Sequence, residues 1–308
     1  MTTYTDAVIV GGGQAGLSVS YYLRREARDH VVLEQAEKPA EVWRNHRWDS
    51  FTLNTPNWQS RLPGADHPGA DPDGFVSREG IVDYFETYAK RFRLPVRYRK
   101  RVSSVERDPQ NGTFIVTIEG GERIQTCNVV IATGLYQTPK VPPFATDLPA
   151  GVRQVHSDAY RNPQELAPGA VLVVGSAQSG AQIAEELCAA RRKVYLAVGH
   201  AGRTPRRYRG KDANWWHDKL GDYDKTVSEL PSPKAKFTAS RSYPGLAAAI
   251  RSICTSLPAT ASCWLVTSAA STKAKSNSPQ TSMRTSRQPT DSKPILSNVS
   301  TPTSPERE

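Results

Sequence analysis

The chain lacks the features that mark several classes of protein. Its four cysteines form no C-x-x-C pair and no metal-ligand spacing is present, so the sequence indicates neither a zinc site nor a redox disulfide and fits a reducing compartment. No stretch approaches the ~20 consecutive apolar residues that span a bilayer, and no basic segment with an apolar run follows the first residue. We therefore expect a soluble, cytoplasmic protein that neither binds a metal nor enters a membrane.

Acidic residues are fewer than basic ones, 30 against 40 of the 308 residues, which gives a formal net charge of +10. The basic residues concentrate in 91–101, in 203–211 and in a C-terminal region with almost no acids. No aromatic residues alternate with them, and no helix-turn-helix pattern is present. Nucleic-acid binding is therefore a minor hypothesis, which strong salt-dependent retention on DNA would revive.

One glycine-rich stretch organises the first half of the chain. The apolar residues at 8–10 predict a buried parallel strand, and the spacing at 17–25 predicts a helix. Gly11, Gly13 and Gly16 occupy the keyed positions of G-x-G-x-x-G, which permit a tight turn, the approach of a pyrophosphate and close helix packing. A strand at 30–33 then ends at Glu34, whose carboxylate can accept from both ribose hydroxyls of an adenosine. The alternative is an ordinary βαβ turn that ends in a surface glutamate.

The segments that follow predict the rest of this domain. Residues 41–50 form a polar loop dense in Trp and Arg, interpreted either as a loop with two aromatic anchors or as a wall around a flat conjugated ring. An amphipathic helix is predicted at 77–92 with Ser77 as its N-cap, followed by a hairpin of 102–107 with 113–118. An apolar strand at 128–131 leads into Ala132, Thr133 and Gly134, which we expect at the same nucleotide.

A second glycine turn begins after an apolar strand at 171–174. Its sequence runs from Gly175 to Gly180 with Ala at the middle position, and a helix at 181–190 and a strand at 193–198 follow. After that strand come Arg203 and Arg206 in place of an acid. Guanidinium groups suit a 2′-phosphate, so this half predicts NADP rather than NAD; the alternative is a solvated basic loop. One tightly bound dinucleotide beside a mobile hydride donor is typical of flavoproteins that use NADPH.

Several of these motifs, in order, resemble the flavin-containing monooxygenase superfamily, from about residue 5 to residue 245. The resemblance includes the H-x-x-x-Y end of that family's fingerprint, from His156 to Tyr160, whereas Leu148 and Gly151 depart from its front. The motifs that match are Gly11–Gly16, Glu34, Trp43-Arg44, Trp48-Asp49, the stretch 53–56, Ala132-Thr133-Gly134 and Gly175–Gly180.

The resemblance implies an α/β fold with an FAD-binding Rossmann-like domain at 1–165 and an NADP-binding Rossmann-like domain at 166–245. It implies that FAD is reduced by NADPH and captures O2 as a peroxyflavin, which transfers one oxygen atom to a small substrate. The cofactor-binding residues that it implies for FAD are Gly11, Gly13, Gln14, Ala15, Gly16, Glu34, Val102, Ala132, Thr133 and Gly134, with Trp43, Arg44 and the catalytic candidate Asn54 beside the isoalloxazine. Those that it implies for NADPH are Gly175, Ser176, Gln178, Ser179, Gly180, Arg203 and Arg206.

The composition changes after Gly245, where Ser, Thr, Pro, Ala and basic residues dominate and glycine is lacking. We expect residues 246–308 to be a disordered tail. Family members return to the FAD domain here, so the resemblance implies an aberrant or truncated C-terminus, from a reading-frame slip or a genuine tail. A reductase or dehydrogenase without oxygen insertion and a non-catalytic remnant with an incomplete FAD site therefore remain alternatives.

Overall fold

A computed structural model describes residues 2–198, 205–230 and 232, together with the backbone of a strand at Cys263–Thr267. Within them the strands are β1 (Thr2–Val10), β2 (His30–Leu33), β3 (Val96–Arg97), β4 (Val102–Arg107), β5 (Phe114–Ile118), β6 (Arg123–Ile131), β7 (Val171–Val174), β8 (Val194–Val198), β9 (Arg207–Tyr208), β10 (Lys211–Asp212) and β11 (Cys263–Thr267). The α-helices of the same residues are α1 (Gln14–Arg25), α2 (Glu41–Asn45), α3 (Arg78–Arg91), α4 (Gln178–Ala189) and α5 (Ala213–Lys219).

The first half of the chain builds a six-stranded sheet in the order β3-β2-β1-β6-β5-β4. The apolar segment of β1 lies at its centre, parallel to β2 and to β6, with Val8 opposite Val31 on one side and Val129 on the other. Strand β6 begins five residues earlier than predicted because its N-terminal part also pairs antiparallel with β5. The hairpin of β4 and β5 is confirmed. The carboxyl ends of β1, β2 and β6 consequently meet at one edge.

The second half builds a smaller parallel sheet in the order β11-β8-β7, with α4 connecting β7 to β8. The predicted α/β class with two Rossmann-like units is confirmed by this arrangement. The two sheets take their strands from either side of the proposed domain boundary at 165/166. Strand β11 lies inside the stretch expected to be a tail; the rest of 246–308 lies outside the described residues. No helix in the described part of the chain is long and apolar enough to cross a membrane.

Helix α3 shows how the sequence sets its own boundaries. The hydroxyl of Ser77 accepts a hydrogen bond from the backbone N–H of Gly80 at 3.1 Å, so the predicted N-cap is confirmed. Its buried face carries Ile81, Val82, Phe85 and Tyr88. Of these side chains, Val82, Phe85 and Tyr88 share a core cluster with Leu17 of α1, so the two helices pack together.

The turn before β6 contains an ionic network that makes stability depend on pH. The carboxylate of Glu122 accepts from Lys100 at 2.7 Å and from Arg97 at 2.5 Å, and these bonds hold the pKa of Glu122 below its ordinary value of 4.5. A lowered native pKa means that the ionised group stabilises the fold above pH ~4.5 and that this contribution is lost as the pH falls below that value. We expect this ionic network to contribute about 0.5–1 kcal/mol to the free energy of unfolding at pH 7, because the carboxylate is partly exposed.

Urea unfolding of Glu122→Gln at pH 7 and pH 2.5 tests this contribution. The variant should lose stability at pH 7 but little at pH 2.5, where the carboxyl group is protonated in both states. Glu119→Gln is the matched control, because Glu119 pairs with Arg101 on the exposed surface. An equal loss at both pH values would contradict the electrostatic explanation.

Candidate functional site

The first glycine turn is shaped by contacts that only glycine permits. The backbone N–H of Gly11 donates to the carbonyl of Leu33 at 2.8 Å, and the φ angle of Gly11 is +106°. A Cβ on Gly11 would lie 2.5 Å from the carbonyl oxygen of Ala132, and a Cβ on Gly16 would lie 1.9 Å from the carbonyl oxygen of Gly11. The turn, the start of α1 and the end of β6 are therefore packed backbone against backbone.

The middle glycine faces open space. No heavy atom of the described residues lies within 4 Å of the position that a Cβ would take on Gly13. Gly13 is also the N-cap of α1, and no side chain of the described residues caps that end, whereas Ser77 caps α3 and Asp212 caps α5. The N–H groups of the first turn, where Gln14 and Ala15 are exposed, thus form a site for an anion.

Glu34 lies beside this opening at the end of β2. Its Oε2 accepts from the backbone N–H of Gly12 at 2.7 Å, and its Oε1 accepts from that of Ala36 at 2.9 Å. Two fixed hydrogen bonds orient the carboxylate, and each oxygen keeps a further lone pair for a ligand hydroxyl. Val102 packs against the same core cluster as Leu33, so the start of β4 lies near the end of β2.

The predicted turn after β6 reaches the same edge. The N–H of Ala132 donates to the carbonyl of Val10 at 2.8 Å, which places Ala132 beside the glycine turn. Thr133 and Gly134 are exposed, and Gly134 has a φ of +81°. The Cα of Thr133 would lie 3.3 Å from a Cβ on Gly11, so this turn lies against the start of the glycine turn.

The second glycine turn repeats the geometry of the first. Gly175 has a φ of +98°, and its N–H donates to the carbonyl of Ala197 at 3.0 Å. A Cβ on Gly180 would lie 2.0 Å from the carbonyl oxygen of Gly175. No side chain of the described residues caps α4, whose N-cap is Ala177. An uncapped helix N-terminus after a glycine turn, which suits an anion, is therefore present at both sheets.

Two side-chain oxygen atoms at the second turn are buried and have no hydrogen-bond partner among the described residues. The hydroxyl of Ser176 and the amide oxygen of Gln178 have no hydrogen-bond partner among the described residues, whereas Ser179 is exposed. A buried polar atom without a hydrogen-bond partner destabilises the protein, so a ligand that offers hydrogen-bonding groups to these two atoms suits this turn. Arg203 lies outside the described residues.

The stretch at 41–50 is not all loop, because α2 occupies part of it. The guanidinium of Arg44 pairs with Glu86 of α3 at 2.6 Å, and its Nε has no hydrogen-bond partner among the described residues. Trp43 lies between two core clusters, and Trp48 is buried in one of them. Trp48 is thus a structural anchor, while Trp43 and Arg44 stay predictions for a ring-binding wall.

Asn54 and Arg206 meet, although 152 residues separate them in sequence. The guanidinium Nη1 of Arg206 donates to the backbone carbonyl of Asn54 at 2.5 Å. Arg206 also pairs with Asp212 at 2.7 Å, and its side chain is 12% exposed. Two of its guanidinium nitrogens therefore face protein groups, while Nη2 is buried and has no hydrogen-bond partner among the described residues.

A hydrogen-bonded bridge joins the first half of the chain to α4. The hydroxyl of Tyr160 donates to Oε2 of Glu186 at 2.6 Å, and the hydroxyl of Ser50 donates to Oε1 at 2.8 Å. Burial and this carboxylate raise the pKa of Tyr160, so the phenol keeps its proton. His156 accepts a hydrogen bond from the N–H of Asp158 at 3.1 Å, as expected of a structural residue.

A surface cavity of about 290 Å³ adjoins the segment that carries Asn54. Trp58 and Trp215 contribute indole rings to its wall, and Lys211 and Asp73 contribute opposite charges.

Three residues of this region were missed by sequence reasoning: Glu86, Glu186 and Asp212. Glu86 and Glu186 lie on predicted helices, but their partners are distant in sequence, so no local pattern marks them. Asp212 did have a signal. It follows a two-residue turn, where Arg209 and Gly210 both have positive φ, and it precedes a helix as a typical N-cap.

Comparisons with known proteins agree with this geometry. Residues 8–220 match the family described as pyridine nucleotide-disulphide oxidoreductase. An oxidoreductase of Geobacillus kaustophilus described as CzcO-like is 42% identical over 222 residues, which are 72% of this chain and 62% of that protein. An indole-3-pyruvate monooxygenase of Oryza sativa subsp. japonica is 30% identical over 187 residues, 61% of this chain and 46% of the rice protein.

A solved flavin-containing monooxygenase of Stenotrophomonas maltophilia superposes with a TM-score of 0.63 at 26% identity, covering 79% of this chain and 71% of that one. The resemblance to flavin monooxygenases is confirmed by these likenesses. The chain spans about three fifths of the length of the CzcO-like relative.

Proposed function

Because the chain belongs to the pyridine nucleotide-disulphide oxidoreductase family, we propose that it is a flavin-dependent oxidoreductase that binds FAD at the first glycine turn and NADPH at the second. The observation that carries this proposal is the repeated turn. In both copies the first glycine has a left-handed φ, and the last leaves no room for a Cβ against the first glycine's carbonyl. Two such turns at two parallel sheets suit two dinucleotides.

The residues of the first turn fit the adenosine diphosphate part of FAD. Its pyrophosphate would face Gly13 and the N–H groups of Gln14 and Ala15, because that helix end is open and uncapped. Glu34 would accept from the ribose hydroxyls, and Val102 would contact the adenine. When bound, FAD supplies an acceptor for a hydride and a donor of electrons to O2.

The second turn fits NADPH by the same reasoning. Gly175 and Gly180 shape the turn, Ser179 is exposed at the helix start, and Ser176 and Gln178 carry the unpartnered polar atoms. The basic segment after β8, which includes Arg203, would favour the 2′-phosphate over a free hydroxyl.

The flavin ring would lie against Trp43, Arg44 and Asn54. Trp43 is held between two cores and Arg44 is held by Glu86, so both groups are fixed before a ring arrives. A fixed wall excludes water, and Asn54 would place a carboxamide near the reacting atoms. We propose that the oxidising step transfers one oxygen atom from O2 to a small organic substrate, as the names of the monooxygenase relatives suggest.

The visible spectrum of the purified protein, before and after anaerobic addition of NADPH, tests the proposal. We expect flavin absorbance that bleaches with NADPH, and an oxygenated product when air and substrate are admitted. Hydrogen peroxide without such a product would instead favour a reductase that inserts no oxygen. Protein that stays colourless even with added FAD would contradict the proposal.

Gly13→Val is the matched variant for this experiment. Its Cβ would lie in the open space over the turn, with no heavy atom of the described residues within 4 Å. We therefore expect the urea midpoint of the FAD-free parent together with loss of flavin absorbance. Full flavin content in Gly13→Val would show that FAD does not bind over this turn.

A further inference from the structure

The side chain of Arg206 is largely buried in a socket formed by Phe75, Asp212 and the backbone carbonyl of Asn54. Its Cζ stands 4.3 Å from the centre of the Phe75 ring, and its Nε lies 2.7 Å from Oδ2 of Asp212, whose side chain is 4% exposed. Burial lowers the pKa of the Arg206 guanidinium, and the neighbouring carboxylate of Asp212 opposes that shift. The third contact, from Nη1, is the 2.5 Å hydrogen bond to the carbonyl of Asn54.

The hairpin of β9 and β10 fixes the positions of Arg206 and Asp212 in this socket. The N–H of Ala213 donates to the carbonyl of Arg206 at 2.8 Å, which holds the two ends of the hairpin together. Oδ1 of Asp212 accepts from the N–H of Asn214 at 2.9 Å and so caps α5. The carboxylate is thus fixed on one side by a helix, and its other oxygen orients the guanidinium.

A second link joins the same two segments. The side-chain amide of Asn214 donates to the amide oxygen of Gln59 at 2.9 Å. On its other side, the chain before Asn54 is held by the N–H of Leu53, which donates to the carbonyl of Val76 at 2.9 Å. Asn54 is itself exposed and lies outside any helix or strand, so the bond from Arg206 is what fixes the peptide unit that follows it.

We propose that Arg206 is a positioning residue, which holds the peptide of Asn54 in place and so links the hairpin of β9 and β10 to the candidate catalytic residue. This inference rests on the proposed function for the role of Asn54. A charge-assisted hydrogen bond is stronger than a neutral one, and only the forked guanidinium can bond Asp212 and the Asn54 carbonyl at once. Nε and Nη1 of the guanidinium already face protein groups, and Nη2 is buried without a hydrogen-bond partner among the described residues, so this geometry favours the positioning role over the 2′-phosphate contact expected from sequence.

Arg206→Lys is the first test, since lysine keeps the charge beside Asp212 but cannot bridge both partners. In the full-length protein without cofactors, we expect amide hydrogen exchange in the peptide 53–56 to become about tenfold faster. Arg206→Met should show the same change, and Arg207→Met, at an exposed neighbour, is the matched control that should leave exchange as in the parent. Unchanged exchange in both Arg206 variants would overturn the positioning role, whether or not FAD binds.

The kinetics of flavin reduction by NADPH and by NADH distinguish a positioning role of Arg206 from binding of the 2′-phosphate. In Arg206→Lys we expect the rate of flavin reduction at saturating NADPH to fall about tenfold, with the KM for NADPH within about twofold of the parent's. The preference for NADPH over NADH should stay as in the parent. A large rise in KM with loss of that preference would assign Arg206 to the 2′-phosphate and overturn the inference. Absence of flavin reduction in the parent would contradict the proposed function alone and leave the exchange result to decide.

Discussion

Replacing Gly16 by alanine is expected to abolish FAD binding and to destabilise the protein by about 3 kcal/mol or more. The new methyl group would lie 1.9 Å from the carbonyl oxygen of Gly11, which is backbone and cannot rotate away. Helix α1 must then move away from β1, and the N–H groups at its start move with it. Flavin content after purification and urea unfolding monitored by circular dichroism measure the two effects.

Two further variants, Gly13→Ala and Gly180→Ala, serve as controls for this result. Gly13→Ala should keep the parent's stability, because its methyl group meets no protein atom of the described residues. Gly180→Ala makes the equivalent clash at the second turn, 2.0 Å from the carbonyl oxygen of Gly175. It should keep its flavin but lose reduction by NADPH. If Gly16→Ala and Gly180→Ala behaved alike in flavin content, the assignment of one cofactor to each turn would be wrong.

The parts of the site that sequence predicted are those that depend on local backbone geometry. Gly11 and Gly16 are required by a turn that spans six residues, and Glu34 is placed by the strand that ends beside it. Each of these constraints operates over a few residues and leaves a recognisable pattern. The strands at 30–33 and 171–174 were found at their observed bounds for the same reason.

The parts that sequence did not predict depend on contacts between distant segments. Arg206 was expected to bind a 2′-phosphate or to lie in a solvated basic loop, and no local pattern indicated that it would pair with Asp212 and pack on the Phe75 ring. Likewise, Arg44 has its partner on α3, 42 residues away. Such pairs carry no local periodicity, so they become visible only when the fold brings them together.

Trp48 also has its contacts in distant segments of the chain, and its replacement is expected to lower the free energy of unfolding substantially. It follows α2 in the first half of the chain, yet it is 2% exposed and shares a core cluster with Leu187 of α4 and Leu196 of β8. Its ring also meets that of Phe51 edge to face at 5.0 Å. Because helix and strand cannot collapse into the space of an indole, we expect Trp48→Ala to lower the free energy of unfolding by about 3–5 kcal/mol.

Urea unfolding followed by circular dichroism, with and without excess FAD, measures this loss separately from any change in ligand binding. Trp215→Ala is the matched control, because that indole lies on the cavity wall against Trp216 and the Lys211 ammonium; it should cost about 1 kcal/mol or less. A loss in Trp48→Ala no larger than in Trp215→Ala would mean that the indole of Trp48 does not anchor the first half of the chain in the core of the second. The expected difference would instead establish that the segment leading to Asn54 is anchored by Trp48 in the core that α4 and β8 share.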